Sequence, residues 1–258
     1  MDIIQSIVLG AVQGLTEFLP ISSSGHLVLL QELFDIKTPP IFFDTILHLG
    51  TLVAVVFYLR REIIYILKTI TQKETIRLIL FLILATIPAV IAGLFLQDKM
   101  EEIFSSIFYV GIFFLLTSVI LFATRFFQKQ TKDLKSINWF DALFIGVFQA
   151  VAILPGVSRS GSTISASIFR NMKREDAFKF SFLMSIPVIF GAFVLQLTKQ
   201  HFQFFNGDVT PNIIGFLFAM IFGFVSLKII EKVLIKGKLH YFAYYCLVLG
   251  LIVLMFIQ

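Results

Sequence analysis

Long stretches without a charged residue are the feature that most constrains this sequence. Five windows of 19 to 22 residues contain no Asp, Glu, Lys or Arg: 78–97, 103–124, 180–198, 209–227 and 239–258. About 20 apolar residues in a helix span the hydrocarbon core of a membrane. A sixth window, 45–59, is shorter at 15 residues, and the charged residues at its ends can reach the interface. We therefore predict six transmembrane helices, because a lipid-facing backbone must satisfy its own hydrogen bonds.

The composition agrees with a membrane protein and excludes other classes. Charged residues make up 14% of the 258 residues and hydrophobic residues 58%, whereas a soluble domain carries about 25% charged residues. These values exclude a disordered chain, a nucleic-acid-binding protein and an ordinary water-soluble enzyme. The single cysteine, Cys246, lies in an apolar run, which excludes a disulfide framework or a cysteine-rich metal site.

Three further apolar stretches are too short to cross a membrane and are interrupted by helix-breaking residues. They cover 3–16, 18–31 and 142–158, and the interruptions are Pro20, Gly25, Pro155, Gly156 and Gly161. Segments that enter and leave by the same face explain such stretches. We predict two re-entrant helical hairpins, at about 3–31 and 139–170.

The chain also repeats itself with a shift of 136 residues. The shift superposes Gly10, Gln13, Ser22, Ser24 and Gly25 on Gly146, Gln149, Ser158, Ser160 and Gly161. We predict one membrane domain over 1–258 made of two halves, about 1–136 and 137–258, each with one hairpin and three crossings. Because three is odd, the halves have opposite orientations, and a site is expected where such inverted repeats meet in the membrane.

The charges of the loops indicate how this domain is oriented. Lys and Arg are in excess in loops 60–77 and 125–138, whereas loops 97–106 and 199–212 show no such excess. Basic loops remain on the cytoplasmic side of a membrane. The first hairpin is then expected to enter from outside and the second from the cytoplasm, so that their tips meet within the bilayer.

Four polar or ionisable side chains lie in the predicted hairpins, where such groups are costly and are taken as functional by default. They are Gln13, Glu17, His26 and Arg159. Gln13 and Glu17 are four residues apart and share one helix face. Their oxygen atoms can hold a hard cation, Mg²⁺ or Ca²⁺. The alternative is a hydrogen-bonded pair with a structural role.

Hydroxyl groups and small residues surround the two predicted tips. The first tip has Ser22, Ser23 and Ser24 before His26, and the second has Ser158, Ser160 and Thr163 around Arg159. Free N–H groups at a helix N-terminus, small residues and a guanidinium favour a phosphate site. The alternatives are serine residues that cap helices and an arginine that reaches outward to water.

This inventory is typical of phosphoryl chemistry. A serine can attack phosphorus with His26 as general acid or base, while Arg159 and a cation stabilise charge on the phosphoryl oxygens. Because the site would lie in the membrane, we expect a lipid phosphate as substrate. Asp44 and His48, one turn apart at the start of a crossing, are expected to line the entrance.

Segments 13–26 and 155–163 resemble the signatures of the bacitracin-resistance type of undecaprenyl-pyrophosphate phosphatase, and the resemblance covers the whole chain in segment order. It implies a multi-pass protein of the bacterial plasma membrane that hydrolyses undecaprenyl pyrophosphate to the monophosphate carrier and inorganic phosphate. This reaction recycles the carrier for cell-wall synthesis and confers bacitracin resistance by consuming the target of the drug. The resemblance is compatible with a homodimer.

The resemblance also implies roles for individual residues. Ser23 is the expected nucleophile with His26 as its proton-transfer partner, the alternative being direct attack by a metal-bound water, and Arg159 binds the phosphates. Glu17 and Gln13 form the pyrophosphate–metal site, for Mg²⁺ or Ca²⁺. Five further residues supply hydrogen bonds to the substrate: Ser22, Ser24, Ser158, Ser160 and Thr163.

The sequence leaves one rival function open and excludes another. A transporter or flippase for a lipid phosphate also uses inverted repeats with broken helices, but it needs no serine with a nearby histidine. A second class of membrane phosphatase carries Ser-Gly-His, which matches residues 24–26, and a histidine nucleophile after a Ser-Arg pair. The positions where that class needs His and Asp hold Ser165 and Phe169, which excludes its mechanism.

Overall fold

Helices account for the regular structure of the chain. The computed structural model describes residues 2–36, 41–95, 106–127, 129–199 and 209–256. Within these ranges there are eleven α-helices and no β-sheet, which confirms the predicted all-α membrane class. The helices are α1 (Ile3–Phe18), α2 (Ser23–Leu33), α3 (Ile41–Tyr58), α4 (Arg60–Lys68), α5 (Lys73–Phe95), α6 (Ile107–Ala123), α7 (Trp139–Val151), α8 (Arg159–Phe169), α9 (Arg174–Lys199), α10 (Thr210–Ile235) and α11 (Tyr241–Phe256).

Four of these helices are long and apolar enough to cross a membrane, namely α5, α6, α9 and α10, and they coincide with four of the predicted windows. A fifth crossing is reached if α3 and α4, which meet at a bend of 66°, count as one broken span. The sixth predicted crossing corresponds to α11, which has 16 residues. The loops 97–106 and 199–212, which have no excess of Lys and Arg, lie largely outside the described residues.

The first predicted hairpin corresponds to α1 and α2. Asp2 caps α1 by accepting a hydrogen bond from the Gln5 backbone N–H at 2.7 Å. The helix ends at Phe18 because Pro20 forces the preceding residue, Leu19, into an extended conformation with ψ 142°. Ser22 then caps α2, so that the chain reverses at the tip over four residues, 19–22.

The second hairpin consists of α7 and α8 and is built in the same way. Asn138 caps α7, and Ser158 caps α8 by accepting a hydrogen bond from Gly161 N–H at 3.0 Å. Between the helices, Gly156 has φ +101°, a conformation that favours glycine. A side chain there would also lie 2.6 Å from the Val110 carbonyl of α6. The tip can therefore pack directly against α6.

The helix boundaries agree with a duplicated unit. A shift of 136 residues superposes α2 on α8 with the same first and last residues. The same shift superposes four further helices on their counterparts, with small differences at the ends: α1 on α7, α3 on α9, α5 on α10 and α6 on α11. The two halves are interlocked, because α1 packs on α10 of the other half and α7 packs on α5. Gly10 and Gly146, which the repeat equates, each lie against a backbone carbonyl of that opposite long helix.

Candidate functional site

The tips of the two hairpins touch each other inside the helical bundle. The Gly156 backbone N–H of the second tip donates to the Ser22 hydroxyl of the first tip at 3.1 Å. In return, the Ser160 hydroxyl donates to the Leu19 carbonyl at 3.2 Å. Each tip thus satisfies a polar group of the other, and the last turn of α1 faces the first turn of α8.

A buried ion pair joins the two hairpins at this point. The Arg159 guanidinium donates through Nη2 to Glu17 Oε1, and the two side chains are 15% and 6% exposed. The other terminal nitrogen of the guanidinium, Nη1, is buried and has no hydrogen-bond partner among the described residues. The sequence-based prediction that Glu17 and Arg159 meet is therefore confirmed, and half of the guanidinium fork remains available to an anion.

The second oxygen of the Glu17 carboxylate accepts a hydrogen bond from Ser23, the predicted nucleophile. The Ser23 hydroxyl donates to Glu17 Oε2 at 2.6 Å, and the Gln13 side-chain amide donates to the same oxygen at 3.0 Å. Ser23 is the first residue of α2, so the reversal of the chain at the tip returns its side chain to the end of α1. One carboxylate thus contacts both the hydroxyl and the guanidinium.

His26 lies in a different place from the one the sequence predicts. Its Nδ1 lies 2.7 Å from the Ser22 carbonyl, and its Nε2 lies 2.7 Å from the hydroxyl of Tyr245. Both ring nitrogens are therefore engaged away from Ser23. In this structure the group that can accept the Ser23 proton is Glu17 and not His26, because the carboxylate already receives the hydrogen bond of that hydroxyl.

The predicted substrate-binding residues fall into two groups. Ser22, Ser24 and Ser158 line a cavity together with Glu17 and the other catalytic candidates Ser23 and Arg159. The remaining two serve the packing of α8. Ser160 bonds the Leu19 carbonyl, and Thr163 bonds the Arg159 carbonyl at 2.9 Å and the Ser181 hydroxyl at 2.5 Å. For Ser160 and Thr163 the structure therefore supports a scaffold role instead of direct contact with a substrate.

The cavity has a volume of about 310 Å³ and two kinds of wall. Its polar wall is formed by the tips of the hairpins. Its apolar wall comes from α5, α9 and the break of the second hairpin, with Ala89, Ile153, Val157, Val188, Ile189, Ala192 and Phe193. Such a cavity suits a molecule with an anionic head and a hydrocarbon chain.

Three residues that the sequence analysis did not place in the site belong to it. His48 Nδ1 lies 3.4 Å from Glu17 Oε2, so this side chain contacts the carboxylate itself, whereas its predicted neighbour at an entrance, Asp44, accepts hydrogen bonds from Gln31. Gln149 lines the cavity, and its Oε1 is buried without a partner among the described residues. The repeat offered a signal for Gln149, since it is the counterpart of Gln13.

The third such residue is Thr117 of α6, which holds the second tip. Its hydroxyl donates to the Gly156 carbonyl at 2.8 Å and accepts from the Ser158 backbone N–H at 3.0 Å. Both backbone groups lie in the irregular segment just before Arg159, where helical partners are absent. No sequence motif marks Thr117, because it lies within an apolar transmembrane window.

We expect Thr117→Val to lower the free energy of unfolding by about 2 kcal/mol, because it leaves the two buried backbone groups of the second tip without a partner. Thermal unfolding of the purified protein in detergent measures the change. Thr86→Val is the matched control, since the Thr86 hydroxyl bonds the Leu82 carbonyl within its own helix at 2.8 Å. Equal destabilisation by both variants would show that Thr117 does not support the tip.

The donor set of the site can be compared with what a divalent cation requires. Glu17 and Gln13 supply a carboxylate and an amide oxygen, and Gln13 Oε1 is a buried acceptor without a partner among the described residues. The described part of the chain contains no cluster of three His, Cys, Asp or Glu residues suited to a metal ion. Mg²⁺ commonly takes one or two protein oxygens and completes its shell with water and phosphate. The residues fit a cation held largely by a bound diphosphate.

Comparison with known proteins gives matches along the whole chain. A family model described as bacitracin resistance protein BacA matches residues 6–252. A protein named undecaprenyl-diphosphatase from Methanococcus maripaludis (strain C6) is 45% identical over 255 residues, which cover 98% of this chain and 100% of the relative. A protein of the same name from Carboxydothermus hydrogenoformans is 44% identical over 257 residues, covering 98% and 97%. One from Halothermothrix orenii is 41% identical and covers 98% of each chain.

Proposed function

The chain belongs to the BacA family of bacitracin resistance proteins, and we propose on that basis that it is a membrane phosphatase. Its substrate is undecaprenyl diphosphate, which it hydrolyses to undecaprenyl phosphate and inorganic phosphate. The monophosphate re-enters cell-wall synthesis as the lipid carrier. As a multi-pass protein of the plasma membrane, it confers bacitracin resistance by consuming the diphosphate that the drug targets.

The observation that carries this proposal is the contact of Ser23, Glu17 and Arg159 across the two hairpins. A hydroxyl, a proton acceptor and a cation that can donate an N–H to the phosphoryl oxygens are the groups that transfer of a phosphoryl group to serine requires. Ser23 lies 2.6 Å from the carboxylate, within the range for proton transfer. A site that only bound a lipid phosphate would need Arg159 but not this hydroxyl–carboxylate pair.

The reaction proceeds in two displacements. In the first, Ser23 Oγ forms a bond to the terminal phosphorus, its proton passes to Glu17, and the bond from that phosphorus to the bridging oxygen breaks. Undecaprenyl phosphate leaves with the bonding electron pair. In the second, an oxygen of water forms a bond to the phosphorus of the phosphoserine, the bond from that phosphorus to Ser23 Oγ breaks, and Glu17 returns its proton to Oγ. Inorganic phosphate leaves with the oxygen of the water, whose protons pass to the phosphate and to solvent. Arg159 stabilises the charge on the phosphoryl oxygens in both steps.

Binding of the substrate uses the part of the Arg159 guanidinium that Glu17 leaves free. Nη2 stays with Glu17 Oε1, while the buried Nη1 can donate to an oxygen of the diphosphate. Glu17 Oε2 meanwhile keeps the hydrogen bond from Ser23. The same guanidinium therefore aligns the transferred phosphoryl group with the hydroxyl and its proton acceptor.

A divalent cation, Mg²⁺ or Ca²⁺, is part of the proposal. Glu17 and Gln13 would hold it together with oxygens of the diphosphate. When bound, it would neutralise charge on those oxygens and so assist departure of the monophosphate. The neutral amide of Gln13 makes this a weak site in the absence of substrate.

The apolar wall of the cavity supports a lipid as the substrate. The side chains of α5 and α9 that line the cavity are apolar, and several neighbouring residues on both helices are exposed at the surface, such as Val90, Ile91 and Phe190. A hydrocarbon chain attached to a diphosphate can therefore leave the polar end of the cavity along apolar surface.

The proposal is tested with purified protein in detergent or nanodiscs and undecaprenyl diphosphate as substrate. We expect release of inorganic phosphate with Mg²⁺ or Ca²⁺ and its loss when EDTA is added. Thin-layer chromatography should show undecaprenyl phosphate as the lipid product. If the lipid instead crosses a vesicle membrane with its diphosphate intact, the chain is a flippase and the phosphatase proposal is wrong.

A further inference from the structure

The hydrogen bonds of His26 fix which of its ring nitrogens carries the proton. A carbonyl oxygen only accepts, so Nδ1 donates to the Ser22 carbonyl at 2.7 Å. In the neutral ring Nε2 then accepts, and its partner is the hydroxyl of Tyr245 at 2.7 Å. With both nitrogens used in this way, the ring has no free position for the proton of Ser23. The two hydrogen bonds of the ring therefore fix the position of the Ser22 turn relative to Tyr245, and we call this arrangement a brace.

Tyr245 orients this ring from the opposite half of the chain. It lies on α11, 219 residues from His26, and the planes of the two rings differ by 7°. Phe114 of α6 meets the imidazole edge to face, with ring centroids 5.3 Å apart. The imidazole is therefore held between two helices of the bundle and aimed at the turn between α1 and α2.

The turn that His26 braces is strained. Ser22 has φ +66°, a conformation that residues other than glycine rarely adopt. Its carbonyl is held by His26, and its hydroxyl accepts from the Gly156 backbone N–H. Ser23 follows directly, so the orientation of its hydroxyl toward Glu17 depends on this turn.

We infer that Tyr245 is a positioning residue for phosphoryl transfer. It acts through His26 on the Ser22 turn and thereby keeps Ser23 Oγ aligned with the carboxylate of Glu17. This inference rests on the proposed function, and it assigns His26 a positioning role in place of proton transfer. Misplacement of a reacting group by about 1 Å costs roughly a hundredfold in rate, so the brace affects kcat and leaves substrate binding largely intact.

The test is a double-mutant cycle with phosphate release from undecaprenyl diphosphate as the readout. We expect Tyr245→Phe to lower kcat about tenfold with KM changed less than about threefold, because one hydrogen bond to the ring is lost. His26→Ala should lower kcat about a hundredfold. In the His26→Ala background, Tyr245→Phe should have less than about a twofold further effect, because its target is gone.

Two more variants separate positioning from proton transfer and from general packing. His26→Asn keeps an N–H donor that can reach the Ser22 carbonyl but has no titrating ring; it should recover kcat to within about tenfold of wild type, with an unchanged pH profile. Tyr244→Phe is the matched control, since Tyr244 precedes Tyr245, is similarly exposed (51% against 45%) and packs on Phe122. It should stay within about twofold of wild type.

Three results would overturn the inference. The first is that the losses of kcat caused by His26→Ala and Tyr245→Phe multiply in the double variant. The second is that Tyr245→Phe lowers kcat no more than Tyr244→Phe does. The third is that His26→Asn is as inactive as His26→Ala and loses one limb of the pH profile. The wild-type assay is read first. If the wild type releases no phosphate, the proposed function has failed; if it is active and the cycle multiplies, only the positioning role has failed.

Discussion

Replacing Ser23 by alanine should lower kcat for phosphate release about 10⁴-fold, because the substitution removes the oxygen that attacks phosphorus. The affinity for undecaprenyl diphosphate should change less than about threefold, since Arg159 and the walls of the cavity remain. The two quantities are measured by single-turnover phosphate release and by equilibrium binding of the labelled lipid to the purified variant.

Ser24→Ala is the matched comparison for this variant. Ser24 lines the same cavity and its hydroxyl lies 3.3 Å from that of Ser22, so its loss removes a weak hydrogen bond and no reacting atom. We expect kcat to fall by no more than about tenfold. If Ser23→Ala retained a tenth or more of wild-type kcat, water would attack the diphosphate directly and Ser23 would have a binding role.

Arg159→Lys should lower kcat/KM about 10³-fold, the second largest effect expected. In the native site one guanidinium spans two partners: Nη2 binds Glu17, and Nη1 is buried and free for a phosphate oxygen. A lysine ammonium is a single point charge and cannot hold both in a fixed fork. The transferred phosphoryl group then loses stabilisation in the transition state. Steady-state kinetics on the purified variant measures the change.

Arg170→Lys is the control for loss of a guanidinium elsewhere in the same hairpin. Arg170 bonds the buried Asp141 at 2.6 Å, with Lys132 on the same carboxylate, and it lies at the far end of α8 from the cavity. We expect kcat/KM within about threefold of wild type, because the site is untouched. Equal losses of activity in both variants would mean that Arg159 acts on the stability of the hairpin alone.

The breaks of the hairpins and the meeting of their tips could be predicted because they depend on local chemistry and on the repeat. Pro20 and Pro155 are each followed within a few residues by glycine and serine, and this combination marks both tips in the sequence, whereas proline alone also occurs inside α5 and α9. The repeat of 136 residues indicated that the halves pair with opposite orientation. Glu17 and Arg159 lie one at each tip, so contact between the tips was expected to bring these two side chains together, and the structure shows them as an ion pair.

The proton acceptor of Ser23 could not be predicted from the sequence, because it depends on the orientation of the His26 imidazole in the folded protein. His26 follows Ser23 by three residues, which is compatible with contact on a helix, but Tyr245 of α11 holds the ring elsewhere. His48 and Thr117 also reach the site from other helices, and no spacing in the sequence relates them to the tips. Long-range packing decides such contacts.

The window 45–59 predicted a crossing but not the bend that ends it. Hydropathy reports how apolar a segment is and carries no information about direction. After Leu59, α4 begins with Arg60 and Arg61, whose charges are costly inside a membrane, and α4 turns away from α3 by 66°. None of the described residues of α4 is buried, as expected for a helix at an interface.

The configuration at the transferred phosphorus tests most directly whether Ser23 attacks the diphosphate. The terminal phosphorus of a polyprenyl diphosphate can be made chiral with sulfur and oxygen isotopes, and the configuration of the released thiophosphate can be read after hydrolysis by the wild-type protein. Each in-line displacement inverts the phosphorus, so attack by Ser23 followed by water gives net retention. Net inversion would mean a single displacement by water, and it would contradict a phosphoserine at Ser23.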